Sequence, residues 1–80
     1  MNTFEQLQKY LEWEYEDIKD LVNNPPGWCS TAKQKGQAIL SSIDRCLGAT
    51  MFAQKCGLPY EDTYIYEEYR EKLLALIDKC

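Results

Sequence analysis

The stretch from Thr31 to Cys56 constrains this chain most, because it carries a start signal, a stop signal and apolar residues on two faces of one long helix. Gln34 follows Thr31 by three residues, the spacing at which the two side chains reach back to free backbone N–H groups, and Ser30 is a second candidate cap. Lys55, Cys56, Gly57, Leu58 and Pro59 supply the stop: a cation in the last turn, a glycine able to turn left-handed, an apolar residue and a proline. A helix that is apolar on two faces needs two neighbours, so the rest of the chain is expected to pack on it.

The flanking segments provide those neighbours. Thr3 and Gln6 repeat the capping spacing, and Phe4, Leu7, Leu11, Tyr15, Ile18 and Val22 then step by three and four, which predicts a helix from about Thr3 to Val22. Asn23, Asn24, Pro25, Pro26 and Gly27 break it. Trp28 is expected to fold inward over the gap between the first two helices. On the central helix, Ala32, Gly36, Ile39, Ile43, Cys46, Leu47, Thr50 and Ala53 form the expected inner stripe, with Leu40 and Met51 at its margin and Gly36 suited to a close backbone approach. After Pro59, Ile65, Tyr66, Tyr69, Leu73, Leu76, Ile77 and Cys80 fall on one side, behind Glu61 and Asp62 at the positive end of the helix dipole. No internal repeat or long linker divides the chain. The prediction is an all-α, single-domain antiparallel three-helix bundle with helices at about 3–22, 31–56 and 61–80.

Composition limits what such a bundle does. Eighty residues bury a modest core, so self-association would add stability. With 45% hydrophobic and 28% charged residues the chain is expected to be globular. Thirteen acidic residues against nine basic ones leave a net charge of -4, which repels nucleic-acid phosphate and anionic lipid; neither is an expected partner. The first ten residues lack the apolar run of a signal peptide and no apolar stretch of about 18 residues occurs, so a cytoplasmic location is expected. Cys46 and Cys56 would sit roughly 15 Å apart on one helix, too far for a disulfide, and a last helix folding back would leave Cys29 as the only candidate mate for Cys80. A reducing compartment suits this pattern.

Catalysis is not expected. The chain has no histidine, which removes the commonest general base and metal ligand, and no Cys-x-x-Cys pair, so no metal and no cofactor is predicted. Cys29, close to Lys33 and the start of the central helix, reads as a small residue filling the turn rather than as a nucleophile. Ser30, Thr31 and Lys33, with Lys35, form a weak anion-binding candidate without the glycine-rich approach of a phosphate cradle. Glu12, Glu14, Glu16, Asp17 and Asp20 are expected to fan out as a solvated face.

Two aromatic rings look outward. Trp13 falls opposite the Phe4, Leu11, Ile18 stripe, among Gln6, Glu16, Asp17 and Asp20 with Tyr10 at the edge, a composition typical of interface anchors. On the central helix Ala38, Ser42, Arg45, Ala49, Phe52 and Cys56 form a second stripe at heptad spacing, which serves either packing within the bundle or self-association. Tyr64 falls on the polar side of the third helix near Glu68 and Glu71. The candidate protein-binding residues are therefore Tyr10, Trp13, Asp17, Asp20, Arg45, Ala49 and Phe52. They point to a non-catalytic interaction module that binds itself or another protein. The alternative is a phage-type acidic decoy, whose carboxylates imitate phosphates and block a basic nucleic-acid-binding protein, although Lys19, Arg70 and Lys72 interrupt its acidic faces.

Overall fold

Three α-helices form, α1 (Thr3–Asn23), α2 (Ala32–Lys55) and α3 (Tyr64–Ala75), in a computed structural model that describes residues 2–79. Short 3-10 turns at Gly27–Cys29, Tyr60–Thr63 and Leu76–Lys79 complete the order. Each helix packs against the other two in an antiparallel bundle. The core combines Leu7, Leu11, Ile18 and Val22 of α1 with Ile39, Ile43, Cys46 and Ala53 of α2, closed by Ile65, Tyr69 and Leu73 of α3.

Both ends of α2 follow their sequence signals. Thr31 Oγ1 accepts the Gln34 N–H at 3.1 Å, while Gln34 Oε1 accepts the Thr31 N–H at 3.2 Å, the reciprocal pair of a capping box. At the far end the Gly57 N–H donates to the Gln54 carbonyl and the Leu58 N–H to the Ala53 carbonyl, at 3.1 and 3.0 Å. This is a Schellman closure, and it needs the left-handed backbone that Gly57 adopts at φ 109°. The same turn drives Leu58 into the core.

Several local expectations are corrected. Asn2, not Thr3, caps α1: its side chain accepts the Glu5 N–H at 2.8 Å, because Asn2 holds the extended conformation of a cap while Thr3 is already helical. The last helical segment is not one continuous α-helix. Thr63 Oγ1 donates to the Tyr60 carbonyl at 2.7 Å and the chain tightens into a 3-10 turn there, with a second such turn after Ala75. Trp28 points to solvent, 70% exposed, and Cys29 is buried in its place. A three-residue turn cannot send both neighbouring side chains inward, and the small thiol fits where an indole does not. On α2 the buried arc is turned toward Ser42, leaving Ala32 and Leu47 exposed. A Cβ on Gly36 would meet nothing within 4 Å, so no backbone crosses there. The Cys29 to Cys80 pairing involves a residue outside those described.

Candidate functional site

Glu14 organises the face shared by α1 and α2. Its place follows from spacing: Leu7, Leu11, Glu14, Ile18 and Val22 step by four, three, four and four, so an acid occupies one position of the α1 core seam. The facing stripe of α2 offers Ser42 and Arg45. Glu14 is buried, correcting its expected place on the solvated face, and its carboxylate is saturated. Oε1 accepts from Ser42 Oγ at 2.9 Å and from an Arg45 terminal nitrogen at 3.0 Å, while Oε2 accepts from Arg45 Nε at 3.0 Å and the Tyr10 hydroxyl at 2.9 Å. The paired bonds from one guanidinium are the geometry that makes arginine the partner of choice for a buried acid. Burial pushes the Glu14 carboxyl upward, but hydrogen bonds from Arg45, Ser42 and Tyr10 outweigh it and hold the group below the usual carboxylate range. Burial, and then the bond to Glu14, raise the Tyr10 hydroxyl. Among the described residues every buried side-chain nitrogen and oxygen has a partner.

This network joins the two surfaces that sequence spacing treats separately. The Tyr10 ring, held by Glu14, packs against Trp13 with ring centres 6.0 Å apart. On its other side Tyr10 lines a groove of about 200 Å³ between the helices, with Leu7, Ala49, Phe52, Ala53 and Cys56. Phe52, 68% exposed, belongs to the lining, while Trp13, 61% exposed, connects to the groove through its contact with Tyr10. One face therefore runs from Trp13 through Tyr10 and the groove to Phe52, with Arg45, half exposed, beside it. Asp17 lies one turn along α1 from Trp13 and is exposed. Asp20 follows, and its carboxylate accepts from the Asn24 side chain at 3.2 Å where α1 ends.

The heptad stripe of α2 mostly packs inward. Ser42 is buried, Ala38 and Ala49 are half-buried, and Arg45 is engaged with Glu14, so α1 is the helix that lies along them; only Phe52 and Cys56 are left open. At the weak anion candidate, Gln34 Oε1 takes the N–H groups of both Ser30 and Thr31, and Thr31 Oγ1 takes that of Gln34. Three donors that an anion would use are thus bonded within the cap, and Lys33 is exposed on the first turn. Tyr64, half exposed, packs its ring 6.4 Å from that of Phe4. Between α1 and α3 the Lys72 ammonium lies 4.6 Å from the Tyr69 ring centre and 5.8 Å from that of Tyr15, a cation held inside the side that a phosphate mimic would need acidic.

Cys29, Cys46 and Cys56 are free thiols, the first two buried. Burial, reinforced by the Glu14 carboxylate, pushes the Cys46 thiol up to about 11, so it stays protonated at neutral pH. In a Cys80→Ser background, a thiol reagent is expected to modify Cys56 first, with Cys29 and Cys46 at least about a hundredfold slower because they wait for unfolding. Rapid selective alkylation of Cys29 would instead reinstate it as a nucleophile. Among the described residues no group of three or more metal-ligating side chains converges. No helix there is long and apolar enough to cross a membrane.

No protein-family model, curated protein or solved structure matches this chain, so the geometry of the face carries the functional reading by itself.

Proposed function

We propose that the protein is a non-catalytic helical interaction module of the cytoplasm, working through the face that runs from Trp13 to Phe52. One observation carries this: beside a mostly apolar groove two large rings stay exposed instead of being covered by the protein's own turns, Phe52 as part of its lining and Trp13 packed against the Tyr10 ring that lines it. Isolated exposed apolar residues are ordinary, but a pair around a concave apolar site is the arrangement of a docking surface, in which aromatic anchors supply most of the binding energy. The Glu14 network supports the same reading, since it holds Tyr10 in place before any partner arrives and lowers the ordering cost of binding. The groove suits an apolar side chain presented by another polypeptide.

The test is affinity capture with the tagged chain. Wild type is expected to retain a protein partner through a high-salt wash, and Trp13→Ser is expected to weaken that capture by about thirtyfold or more, the effect of removing a covered indole. Capture that ignores Trp13 and disappears in salt would replace this reading with the acidic decoy, whose attraction is charge-led.

A further inference from the structure

The seam between α2 and the start of α3 holds a second concave site, a pocket of about 430 Å³ that shares no residue with the groove beside Tyr10 and Phe52. Leu47 and Met51 line it from α2, and Tyr60, Glu61, Tyr64 and Glu67 from the turn and helix that follow. Tyr60, Tyr64 and Glu67 stand four and three residues apart, so a helical path aligns them on one face. Tyr66 adds a third tyrosine to the lining. The backbone of the turn is fixed, since the Asp62 N–H donates to the Pro59 carbonyl at 3.0 Å and Thr63 Oγ1 to the Tyr60 carbonyl at 2.7 Å. The Tyr64 ring is steadied by the Phe4 ring, 6.4 Å away between centres. The site therefore exists before a ligand arrives, which lowers the ordering cost of binding.

Its charge selects the ligand. Two carboxylates and three tyrosines line the pocket, and no lysine or arginine does. Among the described residues Glu61 makes no ion pair, and Glu67 reaches only Arg70, at 3.9 Å with both side chains well exposed. Such a pair is weak, so an arriving cation competes for Glu67 at little cost. Between α1 and α3 the fold fills a comparable place with a cation of its own, the Lys72 ammonium set against the Tyr69 and Tyr15 rings. The α2–α3 pocket has the rings, and carboxylates as well, but draws no cation from its own chain. A guanidinium meets both requirements, because it bonds carboxylates through paired N–H groups and stacks on aromatic faces. The aliphatic stem behind it covers Leu47 and Met51, 41% and 53% exposed. A neutral apolar ligand would instead bury the carboxylates without partners.

We propose that this pocket takes an arginine side chain presented by another polypeptide, with its guanidinium on the Glu61 and Glu67 carboxylates and the tyrosine rings and its stem over Leu47 and Met51. A peptide-borne arginine suits the site better than the free amino acid, whose own carboxylate the two glutamates repel. The contact is separate from the Trp13 to Phe52 face and does not depend on the reading of that face.

Methyl NMR spectra of the full chain, titrated with the blocked tripeptide acetyl-Gly-Arg-Gly-amide, test it. Saturable binding with a Kd of about 1 mM is expected, the strength of one small contact, with the Leu47 and Met51 methyl signals shifting most. The citrulline tripeptide, of the same shape without the charge, is expected to bind at least about tenfold more weakly, and free arginine at least about threefold more weakly. Tyr60→Ala is expected to weaken binding about fivefold, and Glu61→Gln with Glu67→Gln at least about tenfold. These are exposed positions at which helical circular dichroism is expected to be kept. Trp13→Ser is expected to bind the tripeptide as wild type does. Citrulline binding as tight as arginine, Leu47 and Met51 signals that stay in place, or affinity indifferent to the glutamate substitutions would overturn the proposal. Free arginine binding as tightly as the tripeptide would overturn the assignment to a polypeptide. Absence of saturable binding would remove the pocket while leaving Trp13-dependent capture, the test of the other face, unaffected.

Discussion

Glu14→Ala is expected to cost about 3 kcal/mol of folding stability, measured by urea denaturation, against the roughly 4 to 12 kcal/mol typical of a chain this size. The substitution strands the fully buried Ser42 hydroxyl and the Tyr10 hydroxyl, and leaves a cation without its counter-charge at the α1–α2 seam. Breaking a buried pair costs about 3 to 5 kcal/mol, and the lower end applies because the Arg45 side chain is half exposed and water takes up part of its charge. Replacing the whole set, Glu14→Leu with Ser42→Ala and Arg45→Leu, is expected to fall within about 1 kcal/mol of wild type, since apolar packing then takes the place of the ionic network. A triple variant as unstable as the single one would show that the network contributes more than it costs in lost hydration.

The same carboxylate sets the acid response. Its folded-state pKa lies below the unfolded value, so the stabilisation it provides is fully present above about pH 4.3 and is lost as the pH falls through the lower folded value. Wild type is therefore expected to lose more stability between about pH 5 and pH 3 than Glu14→Gln does.

Leu11→Ala is expected to cost about 4 kcal/mol, the upper part of the range for emptying a fully buried leucine site. Leu11 has no exposed surface and belongs to the seam where α1 meets the core. Because the bundle is small, the midpoint of urea unfolding should fall by a large fraction of its wild-type value with the slope unchanged. A shift under about 1 kcal/mol would mean that α2 and α3 collapse into the space, and that this core is less rigidly packed than native density implies.

The legibility of the site varied by residue, for physical reasons. Trp13 and Phe52 were legible because helical periodicity assigns directions independently of residue type, and both rings lie where that geometry puts them. Glu14 was equally legible by spacing, as the third member of a seam from Leu7 to Val22, yet its charge argued for water. Charge prevails over spacing only when no partner faces the position, and the partner here is about thirty residues away on another helix. An acid in one seam opposite a serine and an arginine in another is the signal that locates such a network. Trp28 missed its expected place for a simpler reason, while Cys29 fills the turn as its size suggests: which of two neighbours a short turn sends inward depends on the size of the gap left by the helices.

Local chemistry alone settled where α2 starts and stops and where α1 ends. The Thr31 and Gln34 cap, the Gly57 and Leu58 closure and the Asn23 to Gly27 break each act within a few residues, so no distant contact is needed to read them. Which sides of α2 are covered was decided by the tertiary structure. Ser42 is buried and Leu47, Met51 and Phe52 stay outside because of how the neighbouring helices pack on α2, a fit of side chains from segments far apart in the chain.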